Sequence, residues 1–340
     1  WNVNYKGIHR ANQVIHNINR VRISTNAKTA YDQIRWIYGQ AKFLRAYYYF
    51  NLVKTFGGVP IRPESESVEK LVIPRSTKEE CYALIEKDLR EAAVMLPVVY
   101  RSSAELGKVT RGAAVALLMK VLMYEAKPGV RSDKWEQMVE LGRYFVDGES
   151  MTYAQMLKYD GQEDWELLRK RLWFKPVEEI EGGAANTTEH ENPDDNLSQL
   201  SNAYSLSYND YYGNALHGGD KLAYLFQLYS NGEYCKGSIW EVNFKESGDG
   251  TGGDTNEGQG LEFFDVGQVK LYSTDQLLNN IFGTDVRKDF TIHHQGQTFD
   301  GEIWQGGEGL YVSMKWYTPK VDKPKYAGDN GKNRRVLRYV

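Results

Sequence analysis

Six histidines, two cysteines and 45 acidic residues are the side chains of this 340-residue chain that could do chemistry. Their spacing argues against most of it. His9, His16, His190, His217, His293 and His294 fall in no zinc signature. The adjacent pair His293-His294 would point to opposite faces of a strand, which is poor for chelation. Cys81 and Cys235 fit no metal spacing and no nucleophile setting; they could form one disulfide, and two thiols is the preferred reading. Gly248-Asp249-Gly250-Thr251-Gly252-Gly253 has the glycine pattern of a dinucleotide site. No apolar-periodic helix follows it, so no helix N-terminus is there to hold a pyrophosphate. Asp249, Asp254 and Glu257 in the same loop miss the EF-hand spacing, and a solvated acidic loop is the simpler reading. Glu178, Glu179 and Glu181 read as surface. No metal or cofactor is expected.

Aromatic residues make the other pattern. The chain has 24 Tyr and 8 Trp, side chains with a flat apolar face and a polar handle. Tyr204, Tyr208, Tyr211 and Tyr212 stand among Asn202, Ser205, Ser207, Asn209 and Asp210. Trp304 and Tyr311 stand near Gln305 and Glu308. Tyr211-Tyr212-Gly213-Asn214 joins two rings, a flexible glycine and an amide, as a shallow platform would. The competing reading is that these rings pin long loops onto a scaffold.

That scaffold is legible upstream. A net charge of -3 with 41% hydrophobic residues fits a globular protein and gives no basic face for nucleic acid. Tyr5, Ile8, Ala11, Ile15 and Ile18 recur at helical spacing. A second helix is predicted from Tyr31 to Phe56, with Ile34, Ile37, Ala41, Leu44, Tyr48 and Leu52 in one stripe and Phe43, Tyr47 and Phe50 in another. Apolar stripes this broad predict burial between neighbours, Tyr48 and Phe50 included. Gly57-Gly58 and Pro60 end it. A third helix starts at Ser76-Thr77, where Ser76 with Glu79 or Thr77 with Glu80 makes a capping box. Its face is Cys81, Leu84, Ile85, Leu89, Ala92 and Leu96. A fourth is expected over 111–127 on Ala113, Leu117, Val121 and Tyr124. A fifth is expected with Asp133 and Glu136 as its cap, burying Trp135, Met138, Gly142 and Phe145.

Paired helices without strands predict a mainly α, tetratricopeptide-like helical repeat scaffold over residues 1–150. Residues 151–340 read as a loop-rich ligand-binding region of the same domain. Short helices are expected there at 221–229 and 273–282, and strands at 240–244 and 310–317.

Residues 41–61, AKFLRAYYYFNLVKTFGGVPI, resemble the signature of the SusD/RagB family of outer-membrane nutrient-binding lipoproteins. The likeness rests on Phe43, Leu44, Arg45, Ala46, Tyr48, Phe50, Leu52, Val53, Phe56, Gly57, Val59 and Pro60, with Lys42 where the family often has Arg. Trp1, Tyr5, Ile8, Arg10, Ala11 and Asn12 are similar to the family's preceding helix, and Ile85, Asp88, Leu89, Ala92 and Leu96-Pro97 to the next. The stretch 107–124 is similar to the one after. Asn231-Gly232-Glu233 to Phe244 resembles a segment leading into a strand, and 335–339 the start of a late arginine-tyrosine helix.

The resemblance implies a non-catalytic, lipid-anchored cell-surface protein that caps a SusC-like TonB-dependent transporter. Its ligand would be an oligosaccharide or, in some members, a peptide. The resemblance also implies an anchoring cysteine and a first segment before Trp1, and helices after Tyr339, so the chain reads as the middle of a longer protein. On that reading the aromatic helix is scaffold, and Tyr204, Tyr208, Tyr211, Tyr212, Trp304 and Tyr311 are the ligand-binding candidates. The rivals are a glycoside hydrolase on a helical frame and a pure interaction scaffold.

Overall fold

A computed structural model describes residues 1–18, 21, 28–62, 73–100, 105–126, 129, 132–157, 196–197, 200, 203–204, 237–242, 292–294, 298–299, 302–303, 311–313 and 334–338. The chain divides into two compact units, Trp1–Ala203 and Tyr204–Val340. The described part is mostly helical, as expected.

In the first unit the helices are α1 (Asn2–Asn17), α2 (Lys28–Phe56), α3 (Lys78–Met95), α4 (Arg111–Glu125), α5 (Asp133–Gly142) and the short α6 (Tyr153–Leu157). Helices α1 to α5 pack mainly on their neighbours in sequence, as stacked helix pairs do. A π-helical turn, Arg143–Asp147, continues α5 and ends on the left-handed Gly148. Two-residue strands β1 (Met151–Thr152) and β2 (Asn196–Leu197) pair antiparallel.

Ile8, Ala11, Ile15 and Ile18 of the first predicted face are buried, and Tyr5 is half-buried. Helix α2 starts earlier than Tyr31 and ends where its glycines predict. Gly57 adopts φ +70 and its N–H donates to Val53 O. The tyrosine run splits. Tyr49 and Phe50 are buried, whereas Tyr47 and Tyr48 are half-buried. Burial of Tyr48 was therefore overestimated: its ring covers Gly7 of α1 at the edge of the seam, where a Cβ on Gly7 would lie 2.3 Å from it. Ile37 of the same stripe is exposed.

Thr77 and Glu80 form the capping box of α3, each accepting the other's backbone N–H. The α3 face is buried as expected except Leu84, which is half-buried. Helix α4 stops at Glu125, and Tyr124 is exposed instead of in the core. The face of α5 also differs from expectation. Ser132, not Asp133, is its N-cap, and Gln137 and Leu141 are the buried positions, while Trp135 is exposed. Gln137 turns inward because its side-chain oxygen accepts from buried Arg90 at 2.6 Å. The wide π turn then brings both Tyr144 and Phe145 into the core.

Among the described residues the second unit shows three antiparallel pairs. Strand β3 (Ser238–Val242) pairs with β8 (Arg334–Arg338), β4 (Ile292–His294) with β7 (Tyr311–Ser313), and β5 (Thr298–Phe299) with β6 (Glu302–Ile303). Strand β3 departs from simple alternation, because register shifts on either side of Trp240 leave Ile239, Trp240 and Glu241 all buried. Residues 335–338 do not begin a helix: Arg334–Arg338 is a strand partner of β3, with Leu337 opposite Trp240. The expected helices at 221–229 and 273–282, Cys235 and the loop 248–260 lie outside the described residues.

Candidate functional site and the charged core of the scaffold

The signature helix is tied to its neighbours by charge. Arg45 donates from Nε to Asp88 Oδ2 at 2.6 Å and from Nη2 to Asp88 Oδ1 at 2.8 Å, a bidentate pair between α2 and α3. Its Nη1 reaches Asn12 Oδ1 of α1 at 2.9 Å. Lys42, one turn earlier, places Nζ 3.0 Å from Asp88 Oδ1 and 2.9 Å from Glu91 Oε2. All five side chains are buried. Burial alone would raise the Asp88 carboxyl; Arg45 and Lys42 reverse that and hold it below its ordinary value. Burial would likewise lower Lys42, and Asp88 and Glu91 more than offset it, so the ammonium stays charged.

The chain leaving α2 is strapped over this core. Tyr5 donates to Pro60 O at 2.8 Å, Asn12 Nδ2 to Arg62 O at 3.3 Å, and Arg62 N–H to the Tyr49 hydroxyl at 2.9 Å. Cys81 is a free buried thiol that exchanges contacts with Val59 N and O, both at 3.4 Å. Arg75 donates to Gly58 O and Phe56 O, neutralising the carbonyl end of α2. Every polar atom of the signature named here binds protein, so this constellation fixes a fold and offers nothing to a ligand.

The predicted ligand residues are placed unevenly. Tyr208, Tyr211, Tyr212 and Trp304 lie outside the described residues. Tyr311 opens β7 and pairs with His294. Tyr204 is only 2% exposed, so as placed it lacks the open face that stacking on a ligand requires and is a core residue. The structure therefore brings no two of the six together among the described residues.

One open cleft is described in the first unit. It measures about 360 Å³ and is walled by Glu136, Glu140 and Glu149, with Arg143 and Gln155 at its sides. Tyr144 lines it but is 1% exposed, so the cleft has no aromatic platform. Among the described residues, no group of three or more His, Cys, Asp or Glu is placed to hold a metal, and no helix is long and apolar enough to cross a membrane.

Residues 1–123 match the family SusD-like_3, described as starch-binding associating with outer membrane. That stretch, about a third of the chain, is similar to SusD-like proteins. Solved structures extend the likeness of fold to the rest of the chain. A laminarin-binding SusD-like protein matches with TM-score 0.63 at 20% identity, over 99% of this chain and 63% of its own. A SusD homologue from Bacteroides thetaiotaomicron matches with TM-score 0.63 at 18% identity, over 100% and 59%. Surface glycan-binding protein A from Bacteroides uniformis matches with TM-score 0.56 at 19% identity, over 100% and 58%. The chain thus spans about three fifths of the length of these structures. No curated protein matches it in sequence.

Proposed function

We propose that this chain binds oligosaccharide at the cell surface and passes it, without catalysis, to a SusC-like TonB-dependent transporter. The observation that carries the reading is the match of residues 1–123 to a family described as starch-binding and associating with the outer membrane. Neighbours in fold named for laminarin and for surface glycans support the same ligand class. On this reading the protein is held at the outer membrane by a lipid anchor outside this chain.

Physical chemistry assigns the labour. A sugar ring has an apolar face of C–H groups and an equator of hydroxyls, so recognition needs exposed rings beside polar side chains. Tyr49 and Phe50 of the signature are core, and Arg45, Lys42 and Asp88 are committed to one another. Recognition falls to the loop-rich residues 151–340, where Tyr208, Tyr211, Tyr212, Trp304 and Tyr311 remain the proposed contacts; binding loops on a rigid frame are the usual arrangement. A shallow site of this kind binds in the μM to mM range, ~4–8 kcal/mol. Arrays of glycans and peptides, probed with the complete protein, test the proposal: glycan binding supports it, and binding of peptides alone replaces its ligand class.

A further inference from the structure

Lys134, in the first turn of α5, meets carboxylates from two other helices. Its Nζ contacts Glu86 Oε1 of α3 and lies 3.3 Å from Glu125 Oε2 at the end of α4. The side chains of Glu86 and Glu125 are 7% and 14% exposed. With all three groups ionised, one ammonium faces two carboxylates in a site largely closed to water. A second cation, Arg90 of α3, stands 3.9 Å from Glu86 Oε2, but its Nη2 is already hydrogen-bonded to Gln137. Tyr82 of α3 also faces Glu125; burial and then Glu125 itself push its phenol up, so it adds no charge. On the α2 side, Phe50 sets its edge against Tyr124, and Lys54 lies over that Phe50 ring.

Two carboxylates that share one buried site do not both ionise readily; one keeps a proton. We propose that Glu125, set beside Glu86 and Lys134, keeps its proton in the folded chain, and that losing it loosens α5 and its π turn from α3 and α4. That Glu125 proton, hydrogen-bonded toward Glu86, leaves Lys134 paired with one net negative charge. Its loss sets two negative charges side by side where α3, α4 and α5 meet. Burial first, and then the hydrogen bond and charge of Glu86, push the Glu125 carboxyl up to about 8 from its ordinary 4.5. Because the folded value exceeds the unfolded one, the folded state holds the extra proton between them. The stabilisation is complete below about 4.5 and is lost as pH rises through about 8. The device is a clasp that tightens in acid and slackens in mild alkali. It is local, since Gln137 and the carbonyl of Met156 hang on the same Arg90.

Hydrogen exchange on the full chain tests it, comparing amides of α5 and the π turn with those of α1 and α2 from pH 6 to 9 after correction for intrinsic rates. Protection of α5 should fall at least about tenfold relative to α1–α2 over that range, and Glu125→Gln should hold it flat. An unchanged ratio in the natural protein, or the same fall in Glu125→Gln, overturns the proposal. Should Glu125→Gln fail to fold, carbon NMR of the glutamate carboxyls in the natural protein decides instead. One carboxyl titrating near pH 8 supports the clasp, and titration of every glutamate below about pH 6 overturns it.

Discussion

Arg45 grips both oxygens of Asp88 at 2.6 and 2.8 Å, in a place where neither side chain reaches water. This pair explains why the signature keeps a charged residue inside an aromatic run. Lys42 and Arg45 carry charge from α2 across to α3, and their pairing with Asp88 and Glu91 fixes which turn of α2 meets which turn of α3. Breaking one side leaves a buried charge alone. Asp88→Asn or Arg45→Met should each cost ~3–5 kcal/mol in denaturant unfolding, and the double variant much less than their sum. Additive losses would mean the pair is not coupled.

Acid should find the same pair. Asp88 titrates below its ordinary 3.8 in the folded chain, so its contribution is present above that value and fades as pH falls through the lower folded one. Melting followed from pH 6 to 2 should show a loss below pH 4 that Asp88→Asn, already destabilised, largely lacks. A variant that loses stability in parallel with the natural protein counts against this origin.

Glycine contacts give a sharper test of the α2–α3 join. A Cβ on Gly58 would lie 2.1 Å from Ser76 O, a backbone atom just before the α3 cap. Gly58→Ala must shift that cap and should cost ~1–3 kcal/mol. Gly129 has nothing within 4 Å of such a Cβ, only φ +73, so Gly129→Ala should cost about 1 kcal/mol. Phe50→Ala should lose ~3–5 kcal/mol, since the ring is 1% exposed. Calorimetric melting of the three variants ranks them; equal melting temperatures for Phe50→Ala and the natural chain would show its packing to be wrong.

Much of the scaffold could be read from the sequence, because helical spacing and caps are local signals. Thr77 with Glu80, and Gly57 after Phe56, set helix ends as their chemistry predicts. What the pattern could not see was the pairing of buried charge. Lys42 and Arg45 sit in the core because Asp88 and Glu91 meet them, and Gln137 displaces Trp135 from the α5 face because Arg90 needs an acceptor. Arg334–Arg338 misled for a related reason: a short apolar-basic run becomes a strand when a neighbour such as β3 offers an edge. Tyr204 is buried although it stands in a polar, tyrosine-rich stretch, because a tyrosine in a loop-rich sequence carries no sign that distinguishes a platform from a core plug.

For the site itself, Trp304→Ala should weaken glycan binding at least about tenfold, ~1.4 kcal/mol, while melting stays unchanged. Calorimetry showing full affinity in Trp304→Ala, and again in Tyr211→Ala/Tyr212→Ala, would remove these residues from the site.

Partnership is checked separately. Gentle detergent extraction of native membranes should copurify the complete protein with a β-barrel transporter, through an interface of ~1,200–2,000 Å² or more. Recovery as a monomer alone speaks against delivery.

Glycan binding by the complete protein, measured by calorimetry on hits from an oligosaccharide array with product analysis of the same samples, bears most directly on the proposed function. The account predicts saturable binding of at least one oligosaccharide in the μM to mM range with the ligand recovered intact. Cleaved ligand, or no glycan bound while peptides are, would contradict it.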